Sequence, residues 1–269
     1  MLPRIIAGAA AVAAFIFSIG SLSAQTLDKV KQRGVLVVGT KADYKPFGFR
    51  DTSGAIVGFE PDLARDVAGR LGVRLELEPV VSSNRMQFLQ QGKIDLMLAT
   101  MNVTQERRQT VGIIDPSYYA SGVNVLAIKR AALKTWEQTK NQKICGIQGA
   151  WYNKVVAEKY GTDIVAFRGQ TEAETALLQG NCVGWMYDDT AFLERLADPK
   201  WAAFEMPLET ILDEPWGAAV KLEERNGPWG QLMTTTITDW HRSGKLVDIE
   251  KKWNIPPSAF LKKMRTEIK

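Results

Sequence analysis

One order of elements occurs twice in this chain, and it restricts the fold more than any single motif. Val35–Gly39 (VLVVG) is an unbroken apolar run, the pattern of a strand covered on both faces. FEPDLARDVAGRLG then carries apolar residues at helical spacing, with Pro61 at a first helical position and Gly72 as the stop. VRLELEPV alternates like a strand, SSNRMQFLQQGK reads as a short helix capped by Ser82 or Ser83, and IDLMLA is a third strand. Further on, KICGIQ, AWYNKVVAEKYG, DIVAF, a helix opened at Thr171 by the capping box TEAE, and CVGWMYDD repeat the series. Strands alternating with helices pair in parallel, so the expectation is an α/β protein of two similar units joined around SGVNVLAIK. EPWGAAVKL adds one more strand-like stretch before a helical remainder.

A chain of 269 residues is long enough for two modest domains, and 45% hydrophobic with 24% charged residues describes a folded chain rather than a disordered one. The formal charge of +4 is spread without a Lys/Arg block, so nucleic-acid binding has no support. At the N-terminus Arg4 precedes an apolar run, Ile5–Ile19, followed by small residues from Ser21 to Ala24. That layout predicts a cleaved signal peptide over residues 1–24, ending at Ser23 or Ala24, and hence a periplasmic protein. The run is short for a membrane span. Export permits disulfides, and Cys145 and Cys182 are the two cysteines. With the lone His241 they are too few for an ordinary structural zinc site, and neither metal nor cofactor is expected. One disulfide is expected, worth roughly 3–4 kcal/mol in the chain-entropy model; the alternative is two buried free thiols.

Open parallel sheets bind ligands at the carboxyl ends of their strands. Lys41, Tyr44 and Phe47 follow the first strand, Asn84 and Arg85 the second, and Thr100, Asn102 and Arg107 the third. Thr104 is a good N-cap, yet Arg107 and Arg108 follow in the first turn, where cations oppose the helix dipole. Three cations on one edge are costly unless an anion meets them. Arg108 is assigned to solvent. Tyr44 and Phe47 either pack in the core or form an apolar wall over a ligand's carbon chain. In the second unit the QGAWYNK stretch after the first strand presents backbone N–H groups at a helix start, a seat for a carboxylate that Gly149 lets approach closely. Asp188 and Asp189 end the last strand: one is expected to cap the next helix, the other to accept from an ammonium. Donors for a carboxylate and an acceptor for an ammonium together describe a free amino acid.

The stretches VGTKADYKPFGF, VGFEPDLARDVAGRLG, LQQGKIDLMLATMNVTQERR, DPSYYASG, GIQGAWYNK and MYDD, in this order between Val35 and Trp253, resemble the family 3 extracellular solute-binding proteins, amino-acid receptors of bacterial ATP-driven importers. The resemblance implies a two-lobed periplasmic-binding-protein fold, each lobe a mostly parallel sheet flanked by helices, with two hinge strands. Lobe 1 would comprise residues 25–122 and 216–269, and lobe 2 residues 123–215. It also implies a non-catalytic monomer that delivers a free amino acid to the membrane permease of an ABC importer. By position, Arg107 resembles the arginine that grips the α-carboxylate, and Asp188 the carboxylate that receives the α-ammonium. Tyr44 resembles the aromatic that covers the side chain, while Thr100, Asn102 and the backbone of Ala99 match the pocket lining. Ala150 and Trp151 depart from the pattern, standing where many members have hydroxyl residues. Lys41 stands where receptors of basic amino acids carry aspartate; members that bind aspartate or glutamate resemble this chain there and at Arg85. Such a pair favours a second carboxylate and repels cationic side chains. Aspartate or glutamate is therefore the expected ligand, with glutamine or another polar amino acid next. The competing readings are a cyclohexadienyl or arogenate dehydratase-like enzyme on the same fold, and a sensory module.

Overall fold

The computed structural model describes residues 26–268, so the signal-peptide reading of residues 1–24 lies outside the described residues. Two large sheets are present, each built around three parallel strands. In the first, Val35–Thr40 lies between Arg74–Pro79 and Leu96–Met97, pairing Val35 with Arg74 and Val38 with Leu96. Leu36 and Val38 are fully buried, as the apolar run requires. In the second, Lys143–Ile147 lies between Asp163–Phe167 and Gly184–Asp188. One reversed strand enters each sheet, and the other strands of that sheet share one direction, so each is mostly parallel as expected. Ala219–Val220 extends the first onto Gly112–Ile113, and Tyr119–Ile128 extends the second against Gly184–Asp188.

The antiparallel strands exist because the chain crosses between sheets twice. Tyr119–Ile128 carries it outward, and Ile211–Trp216 returns beside it, pairing Ile211 with Val123 and Trp216 with Tyr119. Two strands that must run opposite ways cannot both follow the parallel pattern. Within the polar loop after Thr40, a small three-stranded sheet (Asp43–Tyr44, Gly48–Arg50, Ile56–Val57) holds residues 43–57 in shape.

Several helix starts differ from expectation. The helix Phe59–Leu71 begins two residues ahead of Pro61 and ends at Gly72 in the left-handed region, φ 66°. Neither Ser82 nor Ser83 caps Arg85–Gln90; Asn84 holds the turn instead, its Oδ1 accepting from Val81 N–H at 2.9 Å. The helix Gln170–Leu178 starts one residue before Thr171 and makes no local side-chain cap. Its first N–H donates to Asp43 Oδ2 at 2.9 Å, across from the other lobe. A distant carboxylate has taken the place of a neighbouring hydroxyl.

Cys145 and Cys182 form a disulfide, S–S 2.01 Å, separated by 37 residues in sequence. Pro228–Ser243 and Lys245–Lys252 close the first lobe; Trp229, Trp240 and Trp253 donate indole N–H to Asp95 O, Asp66 Oδ2 and Asp62 Oδ2. His241 Nε2 donates to Ser117 O at 2.8 Å on that lobe, away from the strand-end loops. Among the described residues no helix is long and apolar enough to cross a membrane, and no cluster of metal-ligating side chains occurs.

Candidate functional site

The carboxyl ends of both sheets meet in the cleft between the lobes. Lys41, one residue past the first strand, is 1% exposed, and its Nζ donates to Ser82 Oγ at 2.9 Å. Burial pulls its pKa down to about 8; Arg85 adds to the shift, while Asp43 and Asp188 oppose it. Arg85 Nη1 donates to the carbonyls of Ala99 and Thr100, the latter at 3.1 Å. The arginine expected to meet a ligand's carboxylate is thus bonded to its own lobe's backbone.

Arg107 sits where the Thr104 cap puts it, in the first turn of Gln105–Thr110; Thr104 Oγ1 accepts its backbone N–H at 3.2 Å. Its guanidinium spans the cleft, with Nη1 donating to Asn102 O at 2.9 Å and Nη2 to Gly149 O of the second lobe at 3.0 Å. Burial lowers its pKa to about 9, with Arg85 contributing. Gly149, φ 80°, is where the lobes touch: a Cβ there would stand 2.7 Å from the Ser82–Ser83 backbone. Arg108 does not point freely into solvent. It makes a two-pronged pair with Asp115 at 2.8 and 3.0 Å, because the turn after Ile113 brings that carboxylate beside the helix.

On the opposite wall Asp188 is 2% exposed. Tyr152 OH donates to its Oδ1 at 3.0 Å and Tyr44 OH to its Oδ2 at 3.3 Å. Burial raises its pKa to about 7, against the Tyr152 hydrogen bond and the charges of Arg85 and Lys41. Asp189 caps nothing either. It accepts from Ser121 at 2.7 Å and Thr210 at 3.2 Å, tying the outward crossing strand to the chain just before the returning one. Neither aspartate's side chain caps the turn that follows, since both are drawn to hydroxyls from elsewhere.

Tyr44 packs against Tyr187 and Trp216 at 5.5 and 6.0 Å between ring centroids. Phe47 is fully buried among Phe59, Tyr119 and Trp216, so of the two proposed wall aromatics only Tyr44 reaches a charged group. Ala150 and Trp151 are half-buried at the start of Tyr152–Tyr160; Trp151 lies edge-on to Tyr152. Thr100 has a left-handed backbone, φ 48°. Its Oγ1 and Asn102 Nδ2 are buried without a hydrogen-bond partner among the described residues.

Further residues enter the cluster that the sequence reading did not single out. Glu60 Oε1 accepts Thr100 N–H at 2.6 Å, and Tyr118 OH donates to the same oxygen. Ser82 Oγ, Tyr187, Tyr152 and Trp216 complete the surroundings. Tyr152 was in view, one residue past Trp151. Glu60 carried no signal, since an acid in the first turn of an amphipathic helix reads as a solvated dipole partner. Among the described residues none of Lys41, Glu60, Arg85, Arg107 or Asp188 makes a salt bridge; their hydrogen bonds go to neutral groups.

Comparison with known proteins agrees with this architecture. The chain is 29% identical over 234 residues to the ABC transporter glutamine-binding protein GlnH of Bacillus subtilis, covering 85% of this chain and 84% of that one. It is 25% identical over 248 residues to the glutamate/aspartate import solute-binding protein of Escherichia coli, covering 86% and 81%. Among solved structures, the P235GK mutant of ArgBP from T. maritima superposes with TM-score 0.79 at 28% identity, covering 85% of this chain and 99% of that one. The family model of the bacterial extracellular solute-binding proteins, family 3, matches residues 36–256. Two lobes, two crossing strands and a charged cleft between them place this chain in that family: it belongs to the family 3 bacterial extracellular solute-binding proteins.

Proposed function

We propose that this chain is the periplasmic binding component of an amino-acid ABC importer, closing over a free amino acid and presenting it to a membrane permease without chemistry. The lobes would comprise residues 25–122 with 216–269, and residues 123–215. One observation carries the reading. Arg107 and Asp188 stand on opposite walls of one cleft, both buried, and both hydrogen-bonded only to neutral groups. A buried charge without a countercharge is expensive, and a zwitterion supplies both countercharges at once. Its carboxylate suits the planar fork of Arg107 and its ammonium suits Asp188 and Tyr44. A ligand that contacts both walls stabilises the closed arrangement over the open one, which is what closure requires.

The side chain we propose is acidic, aspartate or glutamate, with glutamine as the second choice. Lys41 and Arg85 stand in the cleft without a direct ion pair, and a second carboxylate on the ligand would supply one. The relatives named for glutamate/aspartate and for glutamine bracket this choice. Titration calorimetry with the twenty amino acids, followed by incubation with prephenate and arogenate, tests it. Tight binding of an acidic amino acid without turnover is the expected result. Turnover of either acid, or binding of none of the amino acids, overturns it.

A further inference from the structure

Thr100 is a β-branched residue held at φ 48°, a conformation that ordinary side chains adopt only when their surroundings force it. Its two backbone polar groups are held by buried side chains. Its N–H is taken by Glu60 Oε1 at 2.6 Å, and Tyr118 OH lies 3.2 Å from the same nitrogen. Its carbonyl, with that of Ala99, is taken by Arg85 Nη1. Both backbone polar groups of one residue therefore end on buried ionisable side chains, Glu60 fully buried and Arg85 2% exposed. Glu60 is itself fixed. Its own N–H donates to Phe47 O at 2.9 Å and that of Phe59 to Pro46 O at 3.0 Å, docking the helix start onto the loop that carries Tyr44. Gly58, φ 136°, allows that docking, since a Cβ would lie 2.7 Å from both carbonyl oxygens.

We infer that Glu60 and Arg85 are positioning residues that clamp Thr100 in its left-handed conformation, and that this clamp sets the ligand affinity of the wall formed by Ala99, Thr100 and Asn102. The affinity half of the inference rests on the amino-acid-binding reading; the conformational half does not. The clamp explains why Arg85 is spent on carbonyl oxygens, and why a carboxylate stands in a helix's first turn with no contact to solvent. It also explains how Thr100 Oγ1 and Asn102 Nδ2 are kept off the protein's own acceptors.

The test uses the full mature chain with Glu60→Leu, Glu60→Gln and Thr100→Gly. Leucine removes the acceptor at similar volume; glutamine keeps an oxygen for Thr100 N–H but loses the charge. With the amino acid that the wild type binds best, E60L is expected to lose about tenfold or more in affinity, as for one lost bond to a charged group, and E60Q to stay within about threefold. In a Thr100→Gly background, where a left-handed backbone needs no clamp, the further loss from E60L should shrink to about threefold or less. Wild-type affinity in E60L, an equal loss in E60Q, or an undiminished E60L effect beside T100G overturns the clamp. If E60L does not fold, Arg85→Met, which removes the other half of the clamp, takes its place: its affinity loss should shrink in the Thr100→Gly background and Thr100 should leave the left-handed region, and an undiminished loss with φ unchanged overturns the clamp. A crystal structure of E60L separates this inference from the functional reading: Thr100 should leave the left-handed region. If its φ stays near 48°, the clamp is wrong whatever the protein binds.

Discussion

The two walls of the cleft handle charge in opposite ways. The first-lobe wall holds three cations, Lys41, Arg85 and Arg107, and satisfies them with a serine hydroxyl and four backbone carbonyls, one borrowed from the second lobe. The second-lobe wall holds one carboxylate, Asp188, and satisfies it with two phenols. The outer surface does neither. On the helix that carries Glu60, Asp62 and Asp66 are part-buried beside indole N–H groups and pair with the exposed cations Arg65, Lys252, Arg70 and Lys245. Pairs with such exposed partners contribute modestly. The cleft charges feel one another but make no direct ion pair, so a ligand can supply direct countercharges. The proposed site is where charges are solvated by the protein and not paired.

The strongest way to break this contrast is to remove the lone carboxylate. Asp188→Asn keeps the shape but removes the charge and one of the two acceptor oxygens, and amino-acid affinity should fall on the order of 100-fold or more by calorimetry. A loss of less than about threefold would mean that the second wall does not hold the ammonium.

Next, Lys41→Asp puts a carboxylate beside Arg85 and Arg107 on the first wall. Acidic amino acids should lose at least about tenfold more affinity than glutamine does. Equal losses would take Lys41 out of the side-chain pocket.

The contrast also predicts a pH window. Asp188 must be ionised to hold an ammonium, so affinity should drop as pH falls through about 7. Lys41 loses its proton as pH rises through about 8, and an acidic ligand should weaken there while glutamine does not. For folding the signs follow the proton counts. Asp188 keeps its proton in the native state up to about 7, against 3.8 ordinarily, so its contribution to stability falls as pH rises across that interval. Asp188→Asn should flatten both the low-pH limb of binding and that share of the stability profile.

The smallest effects belong to two side-chain contacts between the lobes other than those of Arg107 and Asp188. Asp43→Ala removes the cap on Gln170 and should weaken ligand affinity about fivefold, the usual worth of an N-cap carboxylate. Lys45→Ala removes an exposed pair with Glu194 and should change affinity less than about twofold. A reversed order would show that the exposed pair, not the cap, governs closure.

Much of this was legible beforehand. The first strand, the Gly72 and Gly161 stops and the Thr104 cap are local signals and appear where the sequence placed them. The disulfide between Cys145 and Cys182 was expected from two thiols in a chain whose N-terminus reads as an export signal. Lys41, Tyr44, Arg85, Arg107 and Asp188 are brought together as expected, because strand-end loops of parallel sheets share one edge. Arg85's backbone partners, Phe47's place in the core and the Arg108–Asp115 pair were not legible. Each depends on which of several chemically acceptable neighbours arrives first in three dimensions.

Periodicity, caps and strand-end positions, all properties of neighbouring residues, by themselves determined two α/β units and the residue types at their edges. Only the tertiary structure decided the partners. Asp43 caps a helix 127 residues away, and Glu60 grips a backbone N–H 40 residues away. A hydrogen-bonding group answers to whatever lies within about 3 Å of it, and sequence distance carries no information about that.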